Sequence, residues 1–276
     1  MLRRCVSLLG RSLIILAFLA FVALTPAGCI PQAKLQARLE ELVDVLKGLL
    51  SDEAAFRLAL ANSFALKKAK VIEETAFPSS KELLGAKEVR ELGTGLWMKT
   101  IEYEAPDRLH YISSSEEGEF EAYRIGDRLI WRLQGPGYGG DKRWQETLKL
   151  PEELQQEVQW LRKVRGVDSL LGDQIAQAVD LKRLGVERVN SRRCVVLGFR
   201  IPSWDEDFKR EVDFNGKRLK PVRYEVKAWV AKGIRPLLYK LEAFYIYKDE
   251  GEGTYDYIVE TKTLTPDEKL TIRPPQ

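Results

Sequence analysis

One histidine and three cysteines bound the chemistry open to this chain of 276 residues. His110 has no second imidazole with which to share a metal, and any histidine-dependent triad would have to be built on that one ring. In a strand it points away from its neighbours Leu109 and Tyr111. A Gly-x-Ser-x-Gly elbow, a zinc-spaced Cys/His set and a dinucleotide fingerprint are all absent from the sequence. Gly135 to Gly140 reads GPGYGG, but Asp141-Lys142-Arg143 follows it where a phosphate loop needs Gly-Lys-Ser/Thr, so it reads as the punctuation of a wide hairpin. Asp205-Glu206-Asp207 lacks the spaced oxygens of a calcium loop and reads as a solvated face. The expectation is a protein that is not an enzyme and has no cofactor and no metal. What stays open is a hydrolase built on two of the 41 Asp and Glu residues, which only folding would bring together.

The cysteines carry a different message. Arg3, Arg4 and Arg11 precede the apolar run Leu13 to Leu24, which is too short to span a bilayer comfortably and reads as a signal-peptide core. Small residues and a cysteine follow, Thr25-Pro26-Ala27-Gly28-Cys29. The pattern resembles a bacterial lipobox, in which Cys29 receives a thioether-linked diacylglycerol and becomes the new N-terminus. Pro26 departs from it, since an aliphatic residue is usual there. An ordinary secretory cut after Ala27 and an uncleaved anchor remain the alternatives. Acyl chains at about 0.8 kcal/mol per buried methylene would hold the protein on a membrane almost permanently. Residues 1–28 are therefore expected to be a signal peptide and 29–276 one domain, exported and facing the periplasm or exterior. Cys5 leaves with the signal, so Cys194 stands alone as a small buried hydrophobe.

Removing the signal also removes three arginines and no acid, which leaves 41 Lys and Arg against 41 Asp and Glu. A balanced surface gives no reason to expect nucleic acid as a partner.

The elements that must position these residues are mostly strands. Val222 to Val230 alternates apolar with charged, Ala231-Lys232-Gly233 turns, and Leu237, Tyr239, Leu241, Ala243, Tyr245 and Tyr247 share one parity, so the pair reads as a long antiparallel hairpin. Before it, Val71 to Phe77, Glu91 to Glu104, the strand of Leu109 and Tyr111, Phe120 to Ile125 and the strand of Leu129, Trp131 and Leu133 follow one another through short turns, an antiparallel meander. Gly185 to Val189, Cys194 to Ile201 and Thr254 to Thr261 add further strands. Helices are expected over about 32–68, in two pieces with the second starting at Ser51, from Pro151 to Gly166, and from an Asp168 cap through Val179. Residues 202–220 stand out as a charged insertion dotted with Trp204, Phe208 and Phe214.

This order of elements resembles the LolA/LolB-like superfamily of lipoprotein carriers and the related LppX/LprG-type lipid-binding lipoproteins. The likeness is carried by Pro106-Asp107-Arg108, Gly126-Asp127 with Trp144 beyond, Val189-Asn190-Ser191 leading into Cys194 to Phe199, and Ala228-Trp229-Val230 followed by Arg235-Pro236-Leu237. The resemblance implies an α+β fold: a strongly curved antiparallel sheet, an incomplete barrel, with helices covering its concave side around an apolar cavity. Residues on the inner parity that would line it are Trp97, Tyr103, Tyr111, Trp131, Phe199, Tyr224, Tyr239 and Tyr257. The expected partners are a membrane through lipidated Cys29, a lipid or an acyl chain such as palmitate, and envelope transport proteins. The alternative is an envelope sensor or adaptor on the same scaffold, similar to RseB, with a protein partner.

Overall fold

Every described strand finds its place relative to a central pair formed by the first and the last of them. The structure, a computed structural model, describes residues 51–76, 97–115, 118–136, 143–146, 154–207, 212–214, 217–233, 235–249, 251 and 255–275. All of them belong to one compact unit, Asp44–Gln276.

The chain enters through α1 (Asp52–Phe64) and then runs β1 (Lys68–Ala76), β2 (Trp97–Glu104), β3 (Arg108–Ser115), β4 (Gly118–Ile125) and β5 (Arg128–Gln134). Two short helices follow, α2 (Gln155–Lys163) and α3 (Val167–Leu171), then a 3-10 turn at Asp173–Gln177. The second half is β6 (Val179–Val189), β7 (Arg192–Arg200), α4 (Pro202–Asp207), β8 (Val212–Phe214), β9 (Lys217–Ala231), β10 (Leu237–Asp249) and β11 (Tyr255–Pro266).

Ten strands form one sheet in the order β5-β4-β3-β2-β1-β11-β10-β9-β7-β6, and β8 adds to β9. Each of these pairings is antiparallel. The end strands β5 and β6 are not paired with each other, so the sheet is a curved half-barrel and not a closed one, as the sequence led us to expect.

Period-two alternation decides which side is dry. Ala69 and Val71, Ile101 and Tyr103, Leu109 and Tyr111, Phe120 and Ala122, and Leu129, Trp131 and Leu133 are all buried in one cluster. On the other half Val195, Leu197 and Phe199 join Val226, Ala228 and Val230 in that same cluster. Helices close this face. In α1, Ser51 accepts a hydrogen bond from the Ala54 N–H at 3.3 Å and Asp52 and Glu53 stand at the positive end, both favourable to a helix start. Its buried side is Ala55, Phe56, Ala59, Leu60 and Ser63. Phe56 meets the Phe199 ring at 5.1 Å, while Ser63 Oγ accepts from the Leu238 N–H at 3.0 Å and fixes the helix to the start of β10.

Four details differ from the sequence reading. Gly166, not Asp168, precedes α3, and Asp168 lies within its first turn; the helix stops at Leu171 because Gly172 leaves helical geometry at φ 89°. Val179 opens β6 and does not continue a helix, so that strand begins six residues before Gly185. Within the charged insertion the described residues supply α4, β8 and the start of β9; Asp205, read as part of a solvated face, accepts from the Tyr224 hydroxyl at 2.5 Å, and Trp204 packs on Tyr224 and Tyr245 at 6.1 and 6.3 Å. The fourth is a bulge in β10. Register with β9 shifts between Leu238 and Lys240, which puts Leu238 and Leu241 on the inner face and turns Tyr239 outward. The helix expected upstream of Ser51 and the strand residues 91–96 lie outside the described residues.

Candidate ligand-binding face

The inner face of the sheet divides into two zones, and the division follows rows of residues running across neighbouring strands. One row reads Trp131, Ala122, Tyr111, Ile101, Val71 and Leu264, and every member is buried. Helix α2 sits over this row, with Val158 and Leu161 buried and Trp160 edge-on to Tyr111 at 6.0 Å. Arg124 on β4 donates from Nη1 to the carbonyls of Leu161, Arg162 and Val164, at 3.1, 3.4 and 2.6 Å, which supplies donors to the exposed end of α2. Tyr103 donates to Arg165 O at 2.8 Å beside it.

The next row is different. Here Phe120, Ser113, Lys99, Glu73, Lys262, Leu241, Ala228 and Leu197 stand side by side, so three charges face inward at the middle of the sheet. Lys262 Nζ lies 3.2 Å from Glu73 and donates to Leu170 O of α3 at 3.1 Å. Lys99 Nζ lies 3.5 Å from Glu157 of α2, which also accepts from the Tyr111 hydroxyl.

Beyond it the row Trp97, Thr75, Glu260, Ala243, Val226 and Phe199 leads to Tyr245 and Tyr224. Tyr245 donates to Glu260 at 3.4 Å. Burial pushes the Tyr245 hydroxyl well above its usual range, helped by the Glu260 charge, and burial pushes the Glu260 carboxyl up as well. Tyr247 is raised by the same burial. Tyr224 donates to Asp205 at 2.5 Å and to Ile201 O at 3.2 Å, and burial raises it too. These side chains are surrounded by protein, yet Tyr224, Tyr245, Tyr247, Ile258 and Glu260 all keep part of their surface accessible, and Trp97 keeps 50%.

Of the residues expected to line a cavity, six lie on this face. Tyr103, Tyr111, Trp131 and Phe199 are buried in its packed zone; Trp97 and Tyr224 are in the accessible one. Two fall elsewhere. Tyr239 is turned to the outer face by the bulge and packs against the small cluster of Cys194, Val196 and Trp229. Tyr257 alternates with the inward Ile258 and stacks on Phe244 at 6.0 Å, on the outer face as well. Cys29 lies outside the described residues. Glu73, Lys99, Glu157, Glu260 and Lys262 were not among the expected residues; the signal for four of them was a charge on the apolar parity of a strand, between Val71 and Thr75, Trp97 and Ile101, and Ile258 and Leu264.

The outer face carries the one histidine. His110 Nδ1 is 3.0 Å from Glu102 and Nε2 is 2.9 Å from Glu121, and the ring stacks on Tyr123 at 4.1 Å. Both ring nitrogens are engaged by carboxylates of the neighbouring strands β2 and β4. Among the described residues no three His, Cys, Asp or Glu side chains could hold a metal ion, and no helix is long and apolar enough to cross a membrane.

No protein-family model and no curated protein sequence matches this chain. Among solved structures it is similar to the lipoprotein LppX of Mycobacterium tuberculosis, with 16% identity over 80% of this chain and 97% of the other, at a TM-score of 0.44. LprF from Mycobacterium bovis gives 13% over 82% and 97%, also at 0.44. The Pseudomonas aeruginosa MucA/MucB complex gives 14% over 74% of this chain and 54% of the other, at 0.29.

Proposed function

We propose that the protein is a lipid-anchored component of a bacterial cell envelope that holds the acyl chains of a lipid or an acylated protein on the concave face of its sheet. The observation that carries this reading is the second zone of that face. Tyr224, Tyr245, Tyr247 and Ile258 there are partly enclosed by protein and keep accessible surface next to one another, which supports reading this zone as a surface open to acyl chains. Trp97, Tyr224, Tyr245 and Ile258 would touch the chains; Tyr103, Tyr111, Trp131 and Phe199 form the rigid wall behind them. Methylene burial at about 0.8 kcal/mol each supplies the affinity, and aromatic rings set the shape.

Native mass spectrometry of the full chain after gentle extraction tests the proposal. Co-purifying acyl species that leave on delipidation support it. A bare chain with a stoichiometric protein companion sinks it in favour of an adaptor.

A further inference from the structure

The polar row inside a face otherwise suited to acyl chains carries an imbalance of charge, and that imbalance selects a head group. Five ionisable side chains from four elements lie in that row or against it: Glu73 on β1, Lys99 on β2 and Lys262 on β11 within it, Glu157 on α2 over it, and Glu260 on β11 in the row beside it. Four of them are matched, Lys262 with Glu73 at 3.2 Å and Lys99 with Glu157 at 3.5 Å. Glu260 is the remainder. Among the described residues its carboxyl has the Tyr245 hydroxyl at 3.4 Å as its hydrogen-bond partner and no ammonium or guanidinium within ion-pair distance.

We infer that the boundary between this polar row and the next binds the protonated amine of a cationic amphiphile, with Glu260 as its counter-ion and the aliphatic chain laid over Ala243, Val226 and Phe199, which share the row of Glu260. The inference rests on the proposed lipid-binding role and adds the head-group class. An anionic head would meet a third carboxylate with both lysines already engaged. A neutral alcohol would gain hydrogen bonds but no charge partner. A primary ammonium places its charge where one is missing and has donors for Glu260 and for the phenol oxygens of Tyr245 and Tyr247.

The same geometry gives the inference a pH signature. Burial favours the protonated Glu260; Glu73 adds to that, while Lys262 and Lys99 oppose it. Tyr245 and Tyr247 on β10, Tyr224 on β9 with Asp205 of α4 behind it, and Glu157 on α2 with Tyr111 of β3 are further titratable groups around this space among the described residues. Affinity for an amine should therefore rise with pH as Glu260 loses its proton, whereas that for an alcohol of equal chain length should not.

The test is calorimetric titration of the delipidated full chain with dodecylamine, dodecanol and dodecanoate between pH 5 and 8, repeated with Glu260→Gln. Dodecylamine binding about tenfold or more tighter than dodecanol at the upper pH, declining toward pH 5, with the preference abolished in Glu260→Gln while dodecanol still binds, is the expected result. Dodecanol or dodecanoate binding as tightly as the amine overturns the head-group inference and leaves lipid binding intact; so does an amine preference that is independent of pH in the unmodified chain, a reading that needs no variant. Binding of none of the three overturns both.

Discussion

Arg124 shows how a single inward side chain can hold a helix over a sheet. It is 2% exposed, and its Nη1 serves three carbonyls at the end of α2 while Nε and Nη2 find no partner among the described residues. The guanidinium thus trades desolvation for charge-assisted hydrogen bonds, and burial lowers its affinity for the proton. Arg124→Met leaves those carbonyls without donors, and we expect a loss of about 1–3 kcal/mol, read as a lower urea midpoint at unchanged slope. Glu104 gives a pH prediction of definite sign. Its carboxylate accepts from the Ile272 N–H at 3.0 Å and pairs with Lys68 at 2.9 Å, and these hold it below the usual carboxylate range. The stability it contributes is present above its unfolded value near 4.5 and disappears as pH falls through the lower folded value. Glu260 has the opposite sign: its folded value is raised, so its contribution is present in acid and is lost as pH climbs above the ordinary carboxylate range. Thermal unfolding from pH 3 to 7 should show the acid-side slope flattened in Glu104→Gln and the neutral-side slope flattened in Glu260→Gln.

At the scale of the element, α1 is held at several points. Ser51 caps its own first turn, while the Phe56 ring on Phe199, the Ser63 hydroxyl on Leu238 N–H and the Asn62 amide donated to Pro236 O at 2.9 Å tie it to the β7–β10 half. We expect Ser51→Ala to cost about 1 kcal/mol and Phe56→Ala about 3–5 kcal/mol, measured by denaturant unfolding; an equal cost for the two would mean that the helix does not cover the core. The strands themselves were legible because alternation is local: Val222 to Val230, the Asn190-Ser191 turn with both residues at positive φ, and the meander from β2 to β5 are all stated by neighbouring residues. The Tyr239 bulge was not, because a parity change is fixed by the partner strand and by the Ser63 contact from 175 residues away. The same holds for the inward charges. Glu73 and Lys262 look like ordinary strand polar residues until the register places them opposite each other.

For the molecule as a whole, the anchor and the sheet are separable claims. Cys29→Ala should shift the protein from the membrane fraction to the soluble one with its unfolding midpoint unchanged; a variant that stays membrane-bound to the same degree refutes lipid attachment at this residue. The sheet's two open edges are guarded differently. β6 presents Asp180, Lys182, Arg183, Glu187 and Arg188 along its length, charges that discourage pairing with another chain. β5 is partly covered by the Trp131–Gln145 bridge, with Arg128 paired to Glu146 at 2.8 Å beside it.

The pairing of β1 with β11 has a temporal meaning. Ala69 pairs with Pro266 across almost the whole length of the sheet's sequence, so the flank from β2 to β5 and the flank from β10 to β6 cannot be joined until β11 has been made. The two flanks of the sheet are therefore joined across its middle only through β11, the last of its described strands. Truncation before Tyr255 should leave two unjoined halves with no cooperative melting transition, a result that circular dichroism on heating would reveal.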